Sequence, residues 1–224
     1  MSDLDILFFG RKDDFYSTNL LKFLEKKCKK IDKIWSDGRT SRIIKKIKKN
    51  YDYIICFRSH FLLKEKHIKL AKIGAINFHP GPPKYRGVGC INLAILDGEK
   101  NYGTTAHLIN QKIDNGKILN VKYFNLKKND DLEKILEKTH KCMFDQSKKI
   151  LEKIFKDQKV LKSLVNKNKN IKWSKKLMTR IKLNNLYELN KNIKKDKLKQ
   201  AIKALNYKSF KPYIKINGHK FVLD

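Results

Sequence analysis

Compact apolar runs alternate with segments of helical spacing through the first half of this chain, and that alternation limits the folds open to it. Leu4 to Phe9 (LDILFF) ends at Gly10 and reads as a strand buried on both faces. Asp13 and Asp14 then offer a cap for a helix whose apolar positions include Leu20, Leu21, Leu24 and Cys28. Ile31 to Trp35 is a second strand, Thr40 to Lys49 repeats the helical spacing through Ile43, Ile44 and Ile47, and Tyr51 to Phe57 (YDYIICF) is a third strand. A helix in EKHIKLAKI leads to a fourth strand in GAINFHP. Strands that alternate with helices predict an α/β fold, a doubly wound and mostly parallel sheet. Such sheets hold their sites at the carboxyl ends of the strands, where the strand order reverses.

The second half continues differently. Tyr102 to Asn110 alternates as a strand, with His107 near its end, and Asp114-Asn115-Gly116 is a turn signal between apolar runs. Residues 131 to 156 place Leu132, Ile135, Leu136, Met143, Ile150, Leu151 and Ile154 along one face of a long amphipathic helix. Residues 165 to 172 (VNKNKNIK) are polar and featureless, so we expect a catalytic domain over 1–164, a linker over 165–172 and an appendage over 173–224. That appendage reads as small and α+β: a helix or turn in KLMTRIKLNNLYELN, a helix in KKDKLKQAIKAL, and a β-hairpin closed at Asn217-Gly218.

Composition excludes several classes. No apolar run is long enough to span a bilayer, and Asp3 and Asp5 stand where a signal peptide carries positive charge, so a cytoplasmic protein is expected. Cys28, Cys56, Cys90 and Cys142 are widely spaced, with no CxxC pair and no histidines at zinc-ligand spacing, so neither disulfides nor a metal is expected. Lys+Arg number 53 against 22 Asp+Glu, a net charge of +31. Such a charge suits a polyanion, yet it is nearly all lysine and spread over the whole chain, beside many Asn, Ile and Tyr. We read it as a codon bias with solvated lysine faces, which leaves nucleic acid the less favoured partner and still draws anionic substrates inward.

One stretch carries chemistry. In GAINFHPGPPKYRG, residues 74 to 87, Asn77 and His79 are two apart on a strand and share a face. Pro80, Pro82 and Pro83 stiffen the exit from that strand, and Gly81 and Gly87 allow close backbone approach. Taken singly, Asn77 reads as a strand-end cap, His79 as a packed residue and Asp114 as the first residue of a turn. In order, INFHPGPPKYRG followed by IDNGKIL resembles the formyltransferases that use 10-formyltetrahydrofolate, whose core is an Asn-x-His motif with a downstream Asp in an iD-x-G-x-I loop. The resemblance covers roughly residues 4 to 156 and maps the three catalytic positions onto Asn77, His79 and Asp114. Where many members carry a Ser-Leu-Leu-Pro type of segment, this chain has HPGPPKYRG.

The chemistry that the resemblance implies fits those side chains. Formyl transfer to a primary amine passes through a tetrahedral intermediate and needs a base, an oxyanion donor and a proton for the departing folate nitrogen. His79 would be general base and acid, Asn77 the uncharged donor to the oxyanion, and Asp114 the group that orients the imidazole. The pterin would lie against the backbone of Phe57 to Leu63 and of Asn110 to Gly116, which makes Arg58, Ser59, Leu62, Ile113 and Gly116 the positional candidates for the 10-formyltetrahydrofolate co-substrate. For Phe61, Leu62 and Leu63 ordinary core packing is the competing reading.

Three branches compete for the acceptor: glycinamide ribonucleotide, methionyl-tRNA and nucleotide-linked amino sugars. The tRNA enzymes carry a barrel domain for which residues 173–224 are too few, and the purine enzymes stop near the end of the core. The aromatic tail with its Asn-Gly hairpin resembles the sugar N-formyltransferases, so a nucleotide-linked amino sugar is the favoured acceptor, met by Lys84, Tyr85 and Arg86. The exposed edge of the hairpin leads us to expect a homodimer. A basic RNA-binding module on an inactive core, and hydrolysis of the formyl donor, remain the readings of other classes.

Overall fold

The computed structural model describes residues 2–37, 47 and 49–223. Strand β1 (Ser2–Arg11) leads through Asp14, whose carboxylate caps helix α1 (Phe15–Lys27) by accepting from Ser17 N–H at 2.8 Å, into β2 (Cys28–Ser36). Then come β3 (Tyr51–Phe57), the single turn α2 (Glu65–Ile68) and β4 (Ala71–His79). After β5 (Arg86–Gly87) and α3 (Cys90–Leu96), strands β6 (Asn101–Leu108) and β7 (Ile118–Asn125) form a hairpin, and α4 (Leu132–Lys156) crosses the sheet. The chain ends in α5 (Lys159–Lys167), β8 (Leu177–Met178), α6 (Arg180–Asn185), α7 (Lys195–Leu205) and the hairpin β9 (Tyr213–Ile216) and β10 (His219–Val222).

The main sheet runs β2-β1-β3-β4-β6-β7. Its first four strands are parallel, and β6 and β7 are added antiparallel, so the sheet is mostly parallel as the alternation predicted. Ile6 to Gly10 are buried without a break because helices α1 and α4 cover one face through Leu20, Leu24, Ile150 and Ile154, while Leu63 and partly buried Ile68 cover Leu7, Phe9 and Ile54 on the other. A separate apolar cluster joins α3, Tyr102 and the start of α4 to Ala201, Ala204 and Leu205 of α7, so the C-terminal segment is docked by a core of its own.

Several elements differ from the sequence reading. The helix expected over Thr40–Lys49 lies, apart from Ile47 and Lys49, outside the described residues. Cys28 both caps α1, its N–H donating to Leu24 O, and opens β2, and in EKHIKLAKI only one turn is helical before β4 begins at Ala71. Within 165–172, expected as a linker, the first three residues complete α5, and Asn168 Nδ2 donates to Leu119 O and to Leu164 O at 2.8 Å each. The hairpin turns at Asn217 and Gly218, both at positive φ, 47° and 80°, as a type I′ turn requires. Among the described residues no helix is long and apolar enough to cross a membrane, and no group of three or more His, Cys, Asp or Glu could hold a metal. The four cysteines are buried free thiols.

Candidate active site

The carboxyl end of β4 lies beside the end of β3 on one side and antiparallel β6 on the other, which is where the parallel part of the sheet stops. Register places Asn77 opposite His107 and His79 opposite Thr105. Residues opposed in register share a face, so Asn77, His79, Thr105 and His107 line one surface. The proline segment folds back over it and is pinned from β6: Thr105 Oγ1 donates to Gly81 O at 2.7 Å, and Tyr102 OH donates to Pro80 O at 2.7 Å.

Asp114 is brought to this surface by the loop between β6 and β7. Its backbone is left-handed, at φ 42°, a conformation that aspartate tolerates better than most residues. Gly87 N–H donates to Asp114 Oδ2 at 2.9 Å, and that oxygen stands 3.3 Å from His79 Nδ1. Oδ1 lies 3.5 Å from both Asn77 Nδ2 and His107 Nε2. Gly116 allows the loop to lie against β6, because a Cβ there would fall 1.6 Å from Leu108 O. Arg86 secures the same loop: its Nε and Nη2 donate to Asp114 O and Ile113 O at 2.8 and 2.7 Å, and its Nη1 to Ser174 O at 2.9 Å.

Main-chain carbonyls settle the tautomers of both imidazoles. His79 Nε2–H donates to Tyr85 O at 2.8 Å, which leaves the Nδ1 lone pair facing Asp114. His107 Nδ1–H donates to Leu108 O at 2.8 Å, so its Nε2 accepts from Asn77 Nδ2 at 3.1 Å. That contact takes one amide proton of Asn77 and leaves the second held only by the long contact to Asp114.

Burial is the main influence on His79 and pushes its pKa down, against the opposing pull of Asp114 and of the Tyr85 carbonyl. Burial alone would raise Asp114, but the positive charge that His79 and His107 carry when protonated, with the Gly87 N–H, outweighs it and brings its pKa down to about 2. A neutral imidazole thus faces an ionised carboxylate in a site where the two side chains are only 3% and 10% exposed. The arrangement can take a proton from a nucleophile placed beside Nδ1 and Oδ2 and offer an N–H to an adjacent oxyanion.

The residues expected at the acceptor are all engaged within the chain. Lys84 pairs with Glu99 and with Asp97, Tyr85 OH donates to Asp97 at 2.7 Å and to Glu99 at 3.0 Å, and Arg86 is buried on its three carbonyls. Of the residues expected at the co-substrate, Arg58 forms an ion pair with Asp14 at 2.7 Å, Ser59 Oγ accepts from Phe61 N–H at 3.1 Å, and Leu62 and Ile113 are exposed apolar side chains. None of these, nor Gly116, lines the cavity of about 550 Å³ that opens between α2 and the Asp114 loop. Its walls are Glu65, Ile68, Lys69, Ile109 to Lys112 and Asn115, with Gln111 Nε2 bridged to Glu65 at 2.6 Å.

Two residues at the site escaped the sequence reading. His107 carried a signal in its alternating strand, but only the antiparallel pairing with β4 puts it against Asn77. Trp173 carried none, since its ring reaches the site from beyond α5: its centroid is 5.7 Å from that of His79 and 5.0 Å from that of His107.

Known proteins share this architecture. A likeness in fold links the chain to a 4-N formyltransferase from Francisella tularensis (TM-score 0.75, 17% identity, 99% of this chain and 97% of that one). A sugar N-formyltransferase from Shewanella gives a TM-score of 0.71 at 19% identity over 98% and 96% of the two chains. An N-formyltransferase from Helicobacter canadensis, in complex with folinic acid and dTDP-3-aminofucose, gives 0.70 at 17% identity over 96% and 85%. By sequence, the chain is 38% identical over 88 residues to the methionyl-tRNA formyltransferase of Enterococcus faecalis, 39% of this chain and 28% of that protein. It is 34% identical over 88 residues to the bifunctional polymyxin resistance protein ArnA of Wigglesworthia glossinidia brevipalpis, again 39% of this chain but 14% of that protein, so the matched part spans well under half of these relatives. The model of the formyl transferase family matches residues 35–154, more than half of the sequence and the part that holds Asn77, His79 and Asp114, and the chain belongs to that family.

Proposed function

We propose that this formyltransferase moves a formyl group from 10-formyltetrahydrofolate to the primary amine of a nucleotide-linked amino sugar. The observation that carries the reading is the convergence of Asn77, neutral His79 and ionised Asp114 at one strand end, with each tautomer fixed by a main-chain carbonyl. The acceptor amine would sit beside His79 Nδ1 and Asp114 Oδ2, within hydrogen-bond reach of both. As it attacks the formyl carbon, Nδ1 takes its proton, the carboxylate stabilises the imidazolium that forms, and the loosely held amide proton of Asn77 meets the oxyanion. The imidazolium then returns the proton to the departing folate nitrogen.

The cavity beside the Asp114 loop is of a size to take the pterin, with Ile68 and Ile109 offering apolar contact and Asn110, Gln111 and Asn115 polar contact. For the acceptor, the positive charges of Arg11, Arg58 and Arg180 converge on His60 and, after burial, hold its pKa below the usual imidazole value. Positive charge on this side of the site favours an anionic group such as a diphosphate. The match to sugar N-formyltransferases over nearly the full length of both chains supports the amino sugar against tRNA.

The test is mass spectrometry on a panel of nucleotide-linked amino sugars, glycinamide ribonucleotide and methionyl-tRNA, each incubated with enzyme and 10-formyltetrahydrofolate. A formyl adduct on one amino sugar supports the proposal; an adduct confined to methionyl-tRNA or glycinamide ribonucleotide overturns the acceptor assignment. We also propose a homodimer through the C-terminal hairpin, whose Ile216, Phe221 and Val222 are exposed apolar residues. Light scattering at micromolar concentration should return a dimer mass, and a monomer would contradict it.

A further inference from the structure

Residues 173–178 form a strap across the site. Ser174 N–H donates to Pro83 O at 2.9 Å, its carbonyl accepts from Arg86, and Leu177 and Met178 pair in parallel with Arg86 and Gly87. On the other side, Trp173 Nε1–H donates to Gly116 O at 2.7 Å, within the loop that carries Asp114. The strap thus ties the loop after His79 to the loop of Asp114. Between these anchors the indole meets His79 at 71° and His107 at 82° between ring planes, an apolar roof set over both imidazoles.

We propose that Trp173 is a positioning residue that keeps water from the His79–Asp114 pair and so commits the formyl donor to an amine. The inference rests on the formyl-transfer reading above. The base that accepts a proton from an amine would accept one from water equally well. A water oxygen would attack the formyl carbon while His79 Nδ1 takes its proton. The C–N10 bond would then break and the proton pass to N10, giving formate and tetrahydrofolate. Neither Asn77 nor Asp114 distinguishes water from an amine by hydrogen bonding, so discrimination falls to exclusion. His79 is left with 3% of its side chain exposed and Asp114 with 10%, so an acceptor meets the carboxylate first.

The experiment uses the full chain carrying Trp173→Ala, Trp173→Phe, or Trp173→Leu if the alanine variant does not fold. Two quantities are measured: tetrahydrofolate released from 10-formyltetrahydrofolate without acceptor, and the rate at which diethylpyrocarbonate modifies His79, located by peptide mass spectrometry. The second needs no folate. Trp173→Ala should raise acceptor-independent release by about tenfold, lose that release when His79→Ala is added, and modify faster at His79. Trp173→Phe, which keeps a ring over the imidazoles, should stay close to wild type in both. Unchanged His79 reactivity in a folded Trp173→Ala variant would overturn the proposal. Faster modification with no folate turnover in any variant would support the roof and overturn the formyl-donor reading beneath it.

Discussion

At the residue scale, the site depends on which nitrogen of each histidine is basic. Because burial depresses His79, its neutral form persists below the ordinary imidazole value of about 6.5. The acid limb of kcat/KM should therefore lie below that pH, and a limb at or above 6.5 in a stopped-flow or steady-state profile would contradict the assignment. Asn77→Ala should lower kcat by roughly 100- to 1000-fold with little change in KM, as removal of an oxyanion donor does. The pair Asn77 and His79 was legible because a strand's two-residue period shows which side chains share a face. His107 was not, because its role depends on the register of β4 against a later strand. Charge in a loop reads as solvent-facing, yet Arg86 turns inward to three carbonyls that the sequence does not reveal.

At the element scale, Arg86 links β5, the Asp114 loop and the strap. Its removal would leave three buried or half-buried carbonyls without a partner. We expect Arg86→Ala to lower stability by roughly 2–4 kcal/mol in denaturant unfolding and to reduce kcat through a displaced Asp114. Arg86→Lys should recover only part of either, since an ammonium cannot span the same fork. A lysine variant equal to wild type would contradict this account. The alternation of strands and helices made the parallel sheet and helix α4 readable, and Asn-Gly gave the final hairpin. The short helix α2, the extension of α5 and the pairing of β8 with β5 were not readable, since each is decided by tertiary contacts that override local pattern.

At the scale of the whole molecule, a net charge of +31 means that most cations lack a carboxylate partner, and lysine pairs such as Lys27–Glu152 and Lys69–Glu65 are at least 40% exposed on both side chains. If the acceptor is anionic, kcat/KM should fall as ionic strength rises while kcat holds; a salt-independent kcat/KM would oppose steering. Acid stability is set in part by His140, whose pKa burial, with Arg58 and Arg11, pushes down to about 3. Protonation there favours the unfolded chain, so stability should be full above about pH 6.5 and decline as pH falls from there toward about 3. Denaturant unfolding should show His140→Gln losing less stability than wild type between neutral pH and the acid side; equal losses would contradict it. The central claim concerns His79, and its most direct test is the initial rate of acceptor-dependent tetrahydrofolate release by wild type and His79→Ala, with nucleotide-linked amino sugars as acceptors. The account predicts turnover with an amino sugar that falls by 100-fold or more in the variant; turnover that survives His79→Ala would contradict it.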